Sequence, residues 1–382
     1  MVSLAQAARL ARKHPRYFAH LLVKKAQFAR RYRWVRRHGG SERPVPRPLV
    51  YKLMLNWKCN LRCPGCMLWG DVGWVKESRE DAPKELPWEV VEKIFASRMP
   101  TNASFILSGG EPFQYREMGR LLLALKEHRK FAIICTNGMF LEKFERELDD
   151  NPYPTLLVSL DGSENTNDRL RGRGVYRSVV ENIERIQRLR RPPFIGIQFT
   201  VMPENVAEME TFCEEMVRRG VDWILLNPGW FIDAKQARDY EGVLQREFGV
   251  TPKTHLGYLR EYDYDKAEFQ NQLSRIWSRR WPIQIASHLK EPEWVQDFID
   301  EPAKLLGTRN CYKQWLRLDV LPDGRVTPCV QFPDLHVGDL KTQSVEEVWH
   351  GAENRKFQKF ISGGPLPICA KCDNVYLYGA RD

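Results

Sequence analysis

Between Leu49 and Asn227, short apolar runs alternate with stretches in which apolar residues recur every three to four positions. The runs at 49–56, 103–108, 131–136, 155–161, 194–202 and 221–227 read as strands. The periodic stretches near 87–98, 114–128, 139–149, 174–190 and 204–219 read as helices. Runs such as Phe105-Ile106-Leu107 and Leu156-Leu157-Val158 are apolar without alternation, as in strands covered on both faces. Strand–helix alternation of this kind predicts a parallel sheet with right-handed crossovers. The segment is shorter than the about 250 residues of a closed eightfold barrel. Its six units predict an α/β fold, a partial (β/α)6 TIM-like barrel, with functional groups on the loops that follow the strands.

The flanking segments read differently. Residues 15–38 predict a helix, with Pro15 in its first turn and Gly39-Gly40 as its stop. Phe18, Leu21, Leu22, Phe28, Tyr32 and Val35 form its apolar stripe, broken by Lys25. Ser41 to Pro48 is a linker. Residues 228–307 are a connecting segment dense in aromatics, with helices near 268–280 and 292–300 and no motif; aromatics at this density pack, or wall a substrate cavity. In 308–382, Trp315–Leu321 alternates, Pro322-Asp323-Gly324 turns and Arg325–Val330 returns as a hairpin. Ser344-Val345-Glu346-Glu347 is a capping box that opens a short helix. The predicted organisation is therefore an N-terminal helix and linker (1–48), a barrel (49–227), a connection (228–307) and a small hairpin-plus-helix domain (308–382).

Charge changes the picture only at one end. The net charge is +10, but residues 1–40 hold eleven Lys/Arg and no acid, and the rest carries 48 basic and 49 acidic side chains. The basic character belongs to the arm, so no nucleic-acid partner is expected. The arm has three readings: a helix packed on the body, a helix lying on an anionic membrane or acidic partner, and an Arg-rich, Ser-poor targeting peptide. No apolar run is long enough to span a bilayer and no secretory signal is present. Nine cysteines without an export signal point to a reducing compartment, where clustered thiols bind metal more often than they pair. The expected location is cytoplasmic, with a peripheral contact at a membrane surface through residues 15–38.

The candidate chemistry lies on the loops after the first four strands. Cys59, Cys63 and Cys66 stand at C-x3-C-x2-C spacing after the first. Three soft thiolates can hold an iron–sulfur cube by three irons and leave the fourth open. Gly109-Gly110-Glu111-Pro112 follows the second strand, Thr136-Asn137-Gly138 the third, and Ser159-Leu160-Asp161-Gly162 ends the fourth. In the C-terminal segment Cys311 and Cys329 bracket the hairpin and Cys369-Ala370-Lys371-Cys372 follows. These four converge on a second metal only if Cys311–Gln314 curls back. Zinc is the alternative at either cysteine set. Cys135 and Cys213 read as core thiols, and the eight histidines form no metal-type pair.

Together these motifs resemble the radical S-adenosylmethionine (SAM) superfamily, and the C-terminal cysteines resemble its SPASM/twitch extension. The resemblance covers 49–227 and 308–375. It implies a SAM-binding [4Fe–4S] cluster on Cys59, Cys63 and Cys66, and an auxiliary [4Fe–4S] cluster on Cys311, Cys329, Cys369 and Cys372. It implies that Gly109, Gly110 and Glu111, with Pro112, hold the SAM amino group. Ser159 and Asp161 then face its ribose or carboxylate, Thr136 and Asn137 are neighbours, and Arg171 matches a recurrent Arg-Gly. The implied activity is an oxidoreductase or maturase: SAM is cleaved to a 5′-deoxyadenosyl radical, a substrate hydrogen is abstracted and an electron returns to the auxiliary cluster. Expected partners are a small-molecule, peptide or lipid substrate and an electron donor such as flavodoxin or ferredoxin. The arm is short for a fused leader-peptide reader, which lowers the peptide option. Gly65 departs from the family, which often has an aromatic residue there; Leu68 and Trp69 are the expected substitutes. The competing class is a non-catalytic zinc- or nucleic-acid-binding protein that uses the basic arm.

Overall fold

The computed structural model describes residues 3–77 and 85–378; the outer ends of the 1–48 and 308–382 segments, residues 1–2 and 379–382, lie outside them. Strands β1 (Val50–Met54), β2 (Ser104–Ser108), β3 (Ala132–Thr136), β4 (Pro154–Ser159), β5 (Phe194–Val201) and β6 (Trp223–Pro228) follow in parallel order. Their outward residues, among them Leu53, Leu107, Ile134, Val158, Ile197 and Ile224, are fully buried beneath the helices. Each such aliphatic side chain contributes about 1.5–3 kcal/mol by leaving water, so this layer fixes the wall. The intervening helices form where expected, at Trp88–Ala96, Met118–Glu127, Val175–Gln187 and Met209–Arg218. The stretch near 139–149 instead breaks into a 3-10 turn, Leu141–Phe144, and one helical turn, Glu145–Leu148. Glu164–Arg171 is an added helix whose polar composition gave no periodic signal. It stops at Gly172, where φ is +129° and glycine is favoured.

The sheet is larger than expected. Its order is β10-β9-β8-β1-β2-β3-β4-β5-β6-β7, with β7 (Gln284–Ala286), β8 (Arg317–Val320), β9 (Arg325–Thr327) and β10 (Gly338–Asp339). Strand β7 extends the parallel wall from the connecting segment; three residues are too few to show a period. Strand β8 pairs in parallel with β1, Lys52 opposite Asp319, before turning back into β9. The C-terminal hairpin is thus one edge of the barrel wall. Its turn is closed by Gly324 at φ +86°, and the Ser344 capping box forms as read.

Segment 228–310 contributes helices Ala234–Phe248, Lys266–Ser278 and Trp294–Asp300, of which the first was not foreseen. The first starts with an Asp233–Gln236 capping box and ends at Gly249 in the left-handed region. Its Tyr240 and Leu244, with Tyr258 and Phe332, form a second core that adjoins the C-terminal cysteines.

The arm forms two helices, α1 (Leu4–Lys13) and α2 (Pro15–His38). Helix α2 covers the floor of the barrel: Tyr17, His20, Lys24 and Phe28 share a cavity with Val50, Ser104, Phe131 and Ala132, at the N-terminal ends of the strands. The face turned inward holds part of the expected apolar stripe, with Phe28, Tyr32 and Val35 packed on the body, and adds two cations to it. Lys24 and Arg31 are buried, donating to the Leu49 carbonyl and to the Trp315 and Arg47 carbonyls, while Leu21 and Leu22 are exposed. Backbone carbonyls at the barrel edge accept from these buried cations, where a leucine would offer no donor. No helix among the described residues is long and apolar enough to cross a membrane.

Candidate active site with two cysteine centres

Strand β1 delivers the first cysteine loop to the barrel mouth. The loop is locked from both sides: the Cys66 amide donates to the Cys63 carbonyl (3.0 Å), and the Gly110 and Glu111 amides donate to the Asn56 and Lys58 carbonyls (2.8 and 2.6 Å). This contact explains the glycine pair. A Cβ on Gly109 would lie 2.3 Å from the Asn56 oxygen, and one on Gly110 2.0 Å from the Lys58 oxygen. The carbonyls of Gly109 and Gly110 accept no hydrogen bond among the described residues, which leaves two acceptors for an ammonium group.

Glu111 is fully buried, and its carboxylate is spent inside the protein. It accepts from the Thr136 hydroxyl (2.7 Å), the Asn137 amide (2.7 Å) and the Phe113 amide (3.0 Å). Burial raises its carboxyl to about 7, against the pull of these donors. Asn137 in turn donates to Asn60 (2.8 Å) and reaches toward the Cys59 sulfur (3.9 Å). Glu111, Thr136 and Asn137 therefore buckle the second and third loops to the cysteine loop. Pro112 is buried and opens a 3-10 turn behind them.

Across the mouth, Asp161 is buried and holds Arg171 at 2.7 Å, while its other oxygen accepts from the Thr200 amide (2.7 Å). Ser159 is half-buried at the end of β4, in register with Gln198. The Arg171 Nε is buried without an acceptor. An orphaned guanidinium donor costs stability unless an anion meets it, and a carboxylate is the group that a guanidinium fork fits. The residues present thus fit both ends of an amino-acid moiety, with two free carbonyls for its ammonium and Arg171 for its carboxylate. At Gly65 an added Cβ would come within 3.1 Å of the Met202 sulfur and 3.6 Å of the Tyr262 hydroxyl. Those two side chains stand beside Gly65. Leu68 is buried, and the Trp69 Nε1 donates to the Trp57 carbonyl (2.6 Å).

The second centre is a small cavity, with about 40 Å³ open to the centre of a water molecule, lined by Cys311, Cys329, Cys369 and Cys372 together with Tyr240, Phe332 and Lys313. The 3-10 turn Tyr312–Trp315 supplies the curl that brings Cys311 back. Cys369–Lys371 forms another such turn, closed by the Cys372 amide on the Cys369 carbonyl (3.0 Å). All nine cysteines are free, and among the described residues no three His, Cys, Asp or Glu side chains converge tightly enough for one metal ion. Four thiols spread around a cavity fit a cluster, whose irons sit at its corners, better than a single zinc held by all four. Burial raises the Cys59 and Cys311 thiols, each to about 11, and so keeps them protonated. Cluster assembly must therefore release protons.

Strand β8, paired with β1, carries a buried ionic network beside the second centre. Asp319 accepts from Arg317 at both oxygens (2.5 and 2.9 Å), from Lys313 (3.1 Å) and from the Val330 amide (3.3 Å). Burial alone would push this carboxyl up, but the Arg317 and Lys313 cations outweigh it and hold it at about 2. Arg317 also donates to Asn374 (2.7 Å), whose amide donates to the Cys372 sulfur (3.4 Å). Three lumen residues were missed. Lys52, Cys135 and Asp373 are half-buried and sense one another's charge, and Lys52 makes no hydrogen bond or ion pair among the described residues. A lysine inside the apolar run of β1 was the available signal. Cys135 thus faces the lumen rather than the core, whereas Cys213 is buried as expected.

Comparison with known proteins agrees with this geometry. Residues 58–216 match the model of the radical SAM superfamily, and residues 311–373 match that of an iron–sulfur cluster-binding domain, SPASM. Over 367 residues the chain is 22% identical to the antilisterial bacteriocin subtilosin biosynthesis protein AlbA of Bacillus subtilis, covering 89% of this chain and 69% of that one. It is 25% identical to the Fe-coproporphyrin III synthase of Methanosarcina barkeri over 185 residues, covering 45% of this chain and only 44% of that protein. Streptococcus suis SuiB bound to the precursor peptide SuiA superposes with a TM-score of 0.58 at 15% identity, over 85% of this chain and 68% of that one.

Proposed function

We propose, for a chain that belongs to the radical SAM superfamily and carries a SPASM domain, an oxidative modification of a peptide substrate. When bound, SAM and its [4Fe–4S] cluster supply a 5′-deoxyadenosyl radical that abstracts a substrate hydrogen. Cys59, Cys63 and Cys66 hold that cluster. The Gly109 and Gly110 carbonyls receive the SAM ammonium, and Arg171, positioned by Asp161, receives the carboxylate. The Glu111–Thr136–Asn137 buckle keeps the loops in register, so that the groups are preorganised before SAM binds. Cys311, Cys329, Cys369 and Cys372 hold the auxiliary cluster, which accepts the electron that the substrate radical gives up. The single observation that carries this reading is the convergence of all four C-terminal cysteines on one cavity.

The peptide class draws on AlbA, which matches over 89% of this chain, and on SuiB, which was solved with a precursor peptide. A flavodoxin- or ferredoxin-type donor delivers the first electron, and the arm makes a peripheral contact with a membrane surface. The test uses deuterium. The enzyme is incubated with SAM, dithionite and either a fully deuterated peptide fraction or a deuterated small-metabolite fraction. Deuterium entering 5′-deoxyadenosine from the peptides alone is the expected result. Transfer from the metabolites alone overturns the peptide class, and no 5′-deoxyadenosine from the wild type overturns the reaction. The Cys59→Ala variant, which must release none, is the control.

A further inference from the structure

Helix α2 exposes apolar residues on its outer face although its inner face is also packed. Its buried cations, Lys24 and Arg31, face the barrel floor, while its solvent side carries Ala19, Leu22, Val23, Ala26 and Ala29 at helical spacing. Leu22 is 54% exposed and Val23 39%, and on α1 Leu4 is 92% exposed. A helix that needed only to plug the barrel would gain by hiding these residues. Around the stripe stand Arg16, Lys25, Arg30, Arg33, Arg36 and Arg37, all exposed and none in an ion pair among the described residues. Arg30, Arg33, Arg37 and His38 line one open depression with Trp34. An exposed apolar stripe rimmed by unpaired cations and no acid matches one environment, the interface of an anionic bilayer, where aliphatic side chains enter the acyl boundary and guanidinium groups meet lipid phosphates. A nucleic acid would use the cations but leave the leucine and valine in water.

We infer that the outward face of α2, with Leu22 and Val23 inserted and Arg30, Arg33 and Arg37 on headgroup phosphates, docks the protein on an anionic phospholipid surface. The assignment deepens the peripheral contact proposed above and rests on it. It also sets an orientation. Helix α2 covers the N-terminal ends of the strands and the Cys59–Cys66 loop follows the C-terminal end of β1, so the mouth opens away from the bilayer. Substrate then arrives from the aqueous side, as suits a peptide.

The test is flotation of the full chain with vesicles of phosphatidylglycerol and phosphatidylcholine, or of phosphatidylcholine alone. Binding to the anionic vesicles only is expected, weakened by salt. Leu22→Asp with Val23→Asp, and separately Arg30→Glu with Arg33→Glu and Arg37→Glu, should each lower binding by at least about tenfold. Circular dichroism and 5′-deoxyadenosine release are read on every preparation. Wild-type protein that stays unbound, an aspartate pair that binds as the wild type does, or vesicle binding abolished by inorganic phosphate at equal ionic strength overturns the inference. Loss of 5′-deoxyadenosine release in the wild type tells against the cleavage reading alone and leaves the docking result standing.

Discussion

Asp319→Asn is the sharpest single perturbation of the ionic network buried on β8. Asp319 is 1% exposed, and Arg317 and Lys313 are similarly buried. The amide keeps the shape but removes the only carboxylate that Arg317 and Lys313 contact at hydrogen-bonding distance among the described residues, leaving two buried cations with a poor acceptor. Breaking a buried ion pair from one side costs about 3–5 kcal/mol. The carboxyl's own displacement, from 3.8 to about 2, corresponds to about 2 kcal/mol of stability present above pH 4 and lost as the pH falls through 2. The larger figure includes the stranded cations. Urea unfolding of the anaerobic protein should show the midpoint falling by the equivalent of at least about 3 kcal/mol with an unchanged slope. Replacing Lys313, Arg317 and Asp319 together with Met, Met and Leu should cost less than the single change, because no charge is stranded. A loss below about 1 kcal/mol in Asp319→Asn would refute the claim that this triad is a closed, dry network.

Other positions give separate outcomes. Gly110→Ala forces a Cβ against the Lys58 oxygen, so iron content should fall from about eight to about four per chain while the auxiliary cluster stays. Arg171→Met should weaken SAM binding by about tenfold or more, the worth of a lost charged hydrogen bond, with iron content unchanged; equilibrium dialysis measures it. Cys372→Ala should keep some SAM cleavage and lose net product, and unaffected turnover would argue against the electron-acceptor role. Glu111 has a folded carboxyl near 7 against 4.5 unfolded, so the native state binds the extra proton. Stability should therefore fall by about 3 kcal/mol as pH rises from 4.5 to 7, a slope that Glu111→Gln removes.

Much of this arrangement is legible in the chain because it is local. Apolar runs set β1 to β6, and each motif sits on the loop that follows a strand. What the sequence hides depends on distant partners. The pairing of β8 with β1 joins residues more than 260 positions apart and makes one wall of two segments. Helix α2 has a readable period, and Phe28, Tyr32 and Val35 of its stripe do pack inward, but the burial of Lys24 and Arg31 beside them is decided by carbonyls elsewhere. Motif logic assigned Glu111 to SAM, and only the hydrogen bonds of its carboxylate show that it ties two loops together. Gly65 reads as a gap in the family pattern until Met202 and Tyr262 are seen beside it.

The central claim is that one chain carries two clusters, one open to SAM and one closed by four cysteines. Electron paramagnetic resonance of the dithionite-reduced, anaerobically purified protein, with and without SAM, tests it directly. Two overlapping [4Fe–4S]+ signals are expected, of which SAM shifts one, and the unshifted signal should vanish in Cys372→Ala. Zinc in place of iron, or a single signal that SAM shifts completely, would contradict the account.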